Sequence, residues 1–136
     1  MKAWKWAATI LLIAYCIFIV WYTVLSREPS TSKADLRLFW AYRELFLNDP
    51  HWKADVIQNL SNILFFVPFG LLFPVKNWRT VLVISLVFAI VIEAIQYIGG
   101  FGLCELDDVV CNTLGALIGY WIWQGVMKIK GKMYAN

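Results

Sequence analysis

Charge is scarce in this sequence. Asp, Glu, Lys and Arg make up 15% of its 136 residues, where soluble proteins carry about 25%. Disorder needs high charge and low hydrophobicity, so it is excluded. Histidine is scarcer still. His51 stands alone, which excludes an HExxH zinc motif, and there is neither a Ser/His/Asp set nor a Gly-rich phosphate loop. The three cysteines, Cys16, Cys104 and Cys111, are odd in number and irregularly spaced, so they make no disulfide framework and no zinc pattern. Cys16 and Cys111 lie in apolar runs and read as small core residues. No period fits a collagen or a coiled coil. What the chain has in excess is apolar and aromatic side chains, at 61% and 17%. A domain of this length buries only about two thirds of the surface its unfolded chain exposes. That much apolar surface therefore needs lipid, and the chain reads as a small integral membrane protein. Its net charge of +3 comes from bases beside apolar runs, which points to orientation in a bilayer and not to nucleic acid.

A spanning helix takes about 20 mainly apolar residues. Four stretches qualify, at about 6–26, 58–75, 80–100 and 107–127, and they leave one membrane domain over 1–136 with no soluble domain. The first is too long for a signal-peptide core and no A-x-A-like site follows it, so an uncleaved anchor is expected. Within 35–47, Leu36, Phe39, Trp40, Arg43 and Leu47 recur at helical spacing. That predicts a short amphipathic helix at the interface between spans one and two, closed by Asn48-Asp49-Pro50. His51, beside Trp52, reads as an interface residue and not a ligand. The expected fold is an all-α integral membrane four-helix bundle. With both termini in the cytoplasm, the inner segments carry seven bases and no acid, and the outer ones five bases and eight acids. The positive-inside rule favours that orientation.

Polar residues inside a bilayer are costly and mark functional positions. In this topology Asn59 and Asn62 of span two, Glu93 and Gln96 of span three, and Asp107, Asp108 and Asn112 of span four share one depth near the outer surface. They also share faces, because residues three and four apart are helix neighbours: Ser85, Ala89, Glu93 and Gln96 form one stripe, and Asp108, Asn112, Gly115 and Gly119 another. Gly115 and Gly119 are spaced for close helix packing. Asp107 and Asp108 also suit a helix N-terminus. These stripes predict a carboxylate- and amide-lined pocket open to the outer leaflet.

Three blocks resemble the VanZ-like family of small bacterial membrane proteins. Asn62-Ile63-Leu64-Phe65-Phe66-Val67-Pro68-Phe69-Gly70 is similar to its N-I-L-L-F-x-P-F-G, with Pro68 and Gly70 as packing positions. Glu93 and Gln96 match its E-x-x-Q. Glu105 to Gly115 is similar to D-x-D-D-x-x-x-N-T-x-G, with Glu105 in place of Asp. Phe101 stands where members tend to carry an arginine, for which Arg37 or Arg43 is a substitute. The resemblance implies a bacterial cytoplasmic membrane and a link to teicoplanin resistance, as in the family's namesake.

The expected function is binding, without catalysis, of an amphipathic ligand at the outer leaflet: a glycopeptide lipid tail or a lipid-linked wall precursor. Trp40, Tyr42 and Trp52 would form the lipid-side wall. The alternatives are a metal-assisted enzyme acting on a phospholipid, and a proton-coupled lipid transporter built as a homo-oligomer. No organic cofactor is expected. A divalent cation on Glu93, Asp107 and Asp108, or a proton or arginine at Glu93, would relieve the repulsion among the acids.

Overall fold

In a computed structural model, residues 2–25, 33–39, 52–75 and 77–133 are described. They form an all-α chain: α1 (Lys2–Val20), α2 (Trp52–Leu72), α3 (Trp78–Gly99) and α4 (Leu106–Met133). A π-helical turn, Trp21–Leu25, continues α1. Two three-residue strands, β1 (Lys33–Asp35) and β2 (Leu103–Glu105), pair in parallel with Ala34 opposite Cys104 and Asp35 opposite Glu105.

Each helix has a local cause. Asn77 caps α3, its side-chain Oδ1 accepting the Arg79 N–H at 3.0 Å, as short polar side chains do at an N-terminus. Gly100 ends α3 in the left-handed region at φ 66°. Phe101 N–H then donates to the Gln96 carbonyl at 2.9 Å, which is the closing bond of a Schellman turn. The buried face of α3 is Val81, Ser85, Ala89, Ile92, Glu93 and Gln96, a stripe of period three to four.

α2 and α4 meet backbone to backbone. A Cβ on Gly70 would lie 1.8 Å from the Ala116 carbonyl oxygen, one on Gly115 2.1 Å from that of Ile63, and one on Gly119 2.0 Å from that of Val67. Only hydrogen fits at these three places. The pairs Ile63 with Gly115 and Val67 with Gly119 advance together, so the two helices run parallel. Pro68 lies inside α2 and withholds one helical N–H; in the same turn Tyr15 Oη donates to the Phe65 carbonyl at 2.6 Å. Below the seam Phe66, Phe69, Phe73, Val81 and Tyr120 build the buried core, with the Phe69 and Phe88 rings stacked at 5.6 Å.

The outward faces remain apolar: Ile98 is 82% exposed and Leu64 70%. Among the described residues three segments are long and apolar enough to cross a membrane: Lys5–Leu25, Trp52–Leu72 and Trp78–Gly99. The expected fourth, in α4, is not in that set. At 28 residues α4 has the length, but it carries Asn112, Thr113 and Gln124. It packs on both α2 and α3, and this cover removes the need for an apolar surface. α2 starts six residues before the expected 58 and stops at Leu72.

The interfacial helix expected from residue 35 is corrected over its first part. Asp35 ends a strand, and Leu38 and Phe39 form a turn, with Phe39 at φ 58°. Pairing with β2 overrides the helical spacing there. The rest of that segment, with Trp40, Tyr42, Arg43 and His51, lies outside the described residues.

Candidate functional site

The parallel α2–α4 seam sets the level of the polar residues. One turn before Ile63 and Gly115 come Asn59 and Cys111, with Asn112 beside them. A further turn on are Asp55, Asp107 and Asp108. The antiparallel α3 brings Glu93 and Gln96 to the same end. Asn59, Glu93, Gln96, Glu105, Asp107, Asp108 and Asn112 are all buried, and Asn62 is half-buried.

Hydrogen bonds tie this end together across elements. The Glu105 N–H donates to Glu93 Oε2 at 3.0 Å, docking β2 over the end of α3. Gln58 Nε2 donates to Glu105 Oε2 at 2.6 Å and reaches Asp108 Oδ2 at 3.5 Å. Gln96 Nε2 donates to the Thr23 carbonyl at 2.7 Å, inside the π-helical turn, where the wider winding leaves carbonyls to other donors. Asp107 turns to the β1 side instead: its Oδ1 accepts the Phe39 N–H at 2.6 Å and holds that residue in its left-handed conformation.

Several buried polar atoms have no partner among the described residues: Asp55 Oδ2, Asn59 Nδ2, Asn62 Nδ2, Gln96 Oε1, Asp107 Oδ2 and Asn112 Oδ1. Each such group costs about 1–3 kcal/mol when dry. Buried groups are ordinarily paired, so a concentration of unpaired ones at one end marks where water or a ligand's polar groups enter. Asn59 and Asn112, a donor and an acceptor at one level, are the innermost of them with Asn62.

Burial pushes the Glu105 carboxyl from about 4.5 up to about 7, and the charges of Asp108, Asp55 and Asp35 push the same way, against the Gln58 hydrogen bond. Asp35 is held low by its hydrogen bonds from Arg37, whose Nε lies 2.9 Å from Asp35 Oδ1. Burial raises the Cys104 thiol, and the neighbouring Glu93 raises it further.

Beside this network lies a cleft of about 290 Å³, at the lower end of ligand-pocket size. Leu36, Ile90, Ala94, Tyr97 and Val109 give it apolar walls; Glu93, Cys104 and Glu105 also line it, but the surface open to the cleft is almost wholly apolar and both glutamates are buried. Ile90 and Tyr97 are exposed, so the cleft opens sideways on the lipid-facing flank of α3.

Among the described residues no group of three or more His, Cys, Asp or Glu is arranged to hold a metal ion. The Glu93, Asp107 and Asp108 cation site therefore has no geometric support. The Phe101 ring packs on Gly99, where a Cβ would lie 2.3 Å from it, so this position is used here for packing. Arg37 pairs with Asp35, and Arg43 lies outside the described residues.

Sequence reasoning missed Asp55, Gln58, Cys104 and the Thr23 carbonyl. Asp55, Asn59 and Asn62 share one helix face, a signal that appears only if α2 is begun at Trp52.

The chain matches the VanZ/LLP1 family over residues 7–128. It is 29% identical over 118 residues to "Protein VanZ" of Enterococcus faecium, an alignment covering 80% of this chain and 68% of that one. No solved structure matches.

Proposed function

The chain belongs to the VanZ/LLP1 family, and from that membership and the geometry of its acidic end we propose that it binds an amphipathic ligand at the outer leaflet of the bacterial cytoplasmic membrane. The ligand is the lipid tail of a glycopeptide or a lipid-linked wall precursor, and the physiological outcome is teicoplanin resistance. The observation that carries this reading is the lateral cleft, where Glu93 and Glu105 share one apolar space with Ile90, Ala94 and Val109. An acyl chain matches the apolar surface of the cleft, and a hydrogen-bonding head carried by it would meet the buried acids beside it. Both termini lie in the cytoplasm on this reading, which puts Lys2, Lys5, Arg79, Lys128 and Lys130 inside and the cleft outside.

A transport path is disfavoured by the aromatic core. Phe66, Phe69, Phe73 and Tyr120 are buried below the polar end, where a polar path would have to run. A metal-assisted reaction lacks a ligand set among the described residues.

The test is teicoplanin susceptibility of cells making the protein, with the amount of membrane-inserted protein measured alongside. Ala94→Trp, which fills the cleft from an exposed position, is expected to abolish resistance at unchanged protein level. Resistance equal to that of the unaltered protein would refute the cleft as the site. Cys104 is expected to react with a membrane-impermeant thiol reagent on intact cells in a Cys16→Ser/Cys111→Ala background. Labelling that requires permeabilised cells would reverse the orientation.

A further inference from the structure

The opposite end of the molecule carries its own groove. The first turns of α1, the Phe73–Val75 linker and the last turns of α4 enclose two adjoining hollows that share Lys5 and Pro74. One, of about 560 Å³, is bounded by Lys5, Trp6, Thr9 and Pro74. The other, of about 140 Å³, reaches between Phe73 and Trp123, Gln124 and Met127. Among the described residues Lys5 is the sole charged side chain lining either. It is exposed and makes no ion pair among the described residues.

The charge around it has one sign. The sequence holds no acidic side chain over 1–20, 56–92 or 109–136, so none is found among the described residues of this end, while Arg79, Lys128 and Lys130 belong to it. The positive end of the α1 dipole adds to the same field. The walls, in contrast, are apolar and aromatic, with Trp6 69% exposed where indole rings sit at a membrane interface.

We propose that this groove binds an anionic phospholipid, its phosphate on Lys5 and the upper part of an acyl chain between Pro74, Trp6 and Met127. A single phosphate answers the Lys5 ammonium, the one charge lining the groove among the described residues, and the hydrocarbon covers the aromatic and aliphatic walls. Basic pockets between spanning helices bind such headgroups by the same combination of charge and apolar surface. The site is separate from the acidic cleft, and its test does not depend on what that cleft binds.

The experiment is native mass spectrometry of the purified full chain in zwitterionic detergent, titrated with phosphatidylglycerol, phosphatidylcholine or inorganic phosphate. Phosphatidylglycerol is expected to be retained in preference to phosphatidylcholine. Lys5→Gln is expected to weaken it about fivefold, the worth of one basic residue at a membrane surface, and Lys5→Arg to restore it. Lys53→Gln, an exposed lysine at the opposite end, is expected to bind as the unaltered protein does. Equal retention of both lipids, no loss in Lys5→Gln, or an equal loss in Lys53→Gln would overturn the proposal. Displacement of phosphatidylglycerol by millimolar inorganic phosphate would also overturn it, by showing a free-anion site.

Discussion

The same helices build two unlike halves. In one half α2, α3 and α4 contribute Phe66, Phe69, Val81, Ala116 and Tyr120, all buried, and glycines so close to the neighbouring backbone that no Cβ fits. In the other they contribute Asn59, Glu93, Gln96 and Asn112, also buried, and Asn59, Gln96 and Asn112 each keep a hydrogen-bonding atom with no partner among the described residues. The change falls within single helices, between Asn62 and Phe66 in α2 and between Asn112 and Gly115 in α4. Burial is thus equal while satisfaction is not. The apolar half needs nothing more than lipid around it. The polar half bears unpaired groups whose cost an incoming ligand or water reduces. On the proposed function, stability and binding fall in different halves of one set of helices.

The largest break in that division comes from the seam. Gly119→Leu drives a side chain into the Val67 carbonyl and the Leu71 N–H, 2.0 and 2.9 Å from the first added carbon. Overpacking of a side chain typically costs about 1–3 kcal/mol; a backbone-to-backbone contact gives way less, so little folded protein is expected on size-exclusion chromatography. Gly125→Leu, where nothing lies within 4 Å, should elute and melt as the unaltered protein does. Phe66→Ala comes next, with an expected loss of about 3–5 kcal/mol on thermal unfolding in detergent and a resistance phenotype that falls only as the protein level falls.

On the polar side the effects on stability shrink while those on function grow. Glu105 has a carboxyl raised from about 4.5 to about 7. The folded state therefore holds its proton more tightly than the unfolded one, and the stability this group contributes is full below pH 4.5. That contribution declines as pH rises from about 4.5 to about 7 and then levels, a change of about 3 kcal/mol at most, reduced by solvent screening. Melting temperature against pH checks this, and Glu105→Gln should flatten the curve over that window. A curve that rises with pH there would contradict the assignment. The smallest effect is expected for Asn112→Ala. It removes an unpartnered buried oxygen, so stability should change by less than about 1 kcal/mol, while teicoplanin resistance is lost.

The stripe Ser85, Ala89, Glu93, Gln96 was legible because a helix repeats every 3.6 residues and a charge inside an apolar run stands out. Gly115 and Gly119 were legible for the same reason. The parallel pair of β1 with β2 was not. Its strands are three residues each and lie about 70 positions apart, so nothing local distinguishes them, and the spacing of Leu36, Phe39 and Trp40 argued for a helix. Phe39 in a left-handed conformation depends on Asp107, 68 residues later. The π-helical turn was hidden too, since Trp21–Leu25 is as apolar as the helix before it; the Gln96 amide that bonds Thr23 comes from another element.

The measurement closest to the central claim is titration of the purified protein with teicoplanin and, separately, with a lipid-linked wall precursor, followed by tryptophan fluorescence. The account predicts saturable binding of at least one of them. That binding should be lost in Ala94→Trp and Asn112→Ala and kept in Gly125→Leu, with all three variants folded. Saturable binding that survives the filled cleft, or no binding of either compound by the folded protein, would contradict it.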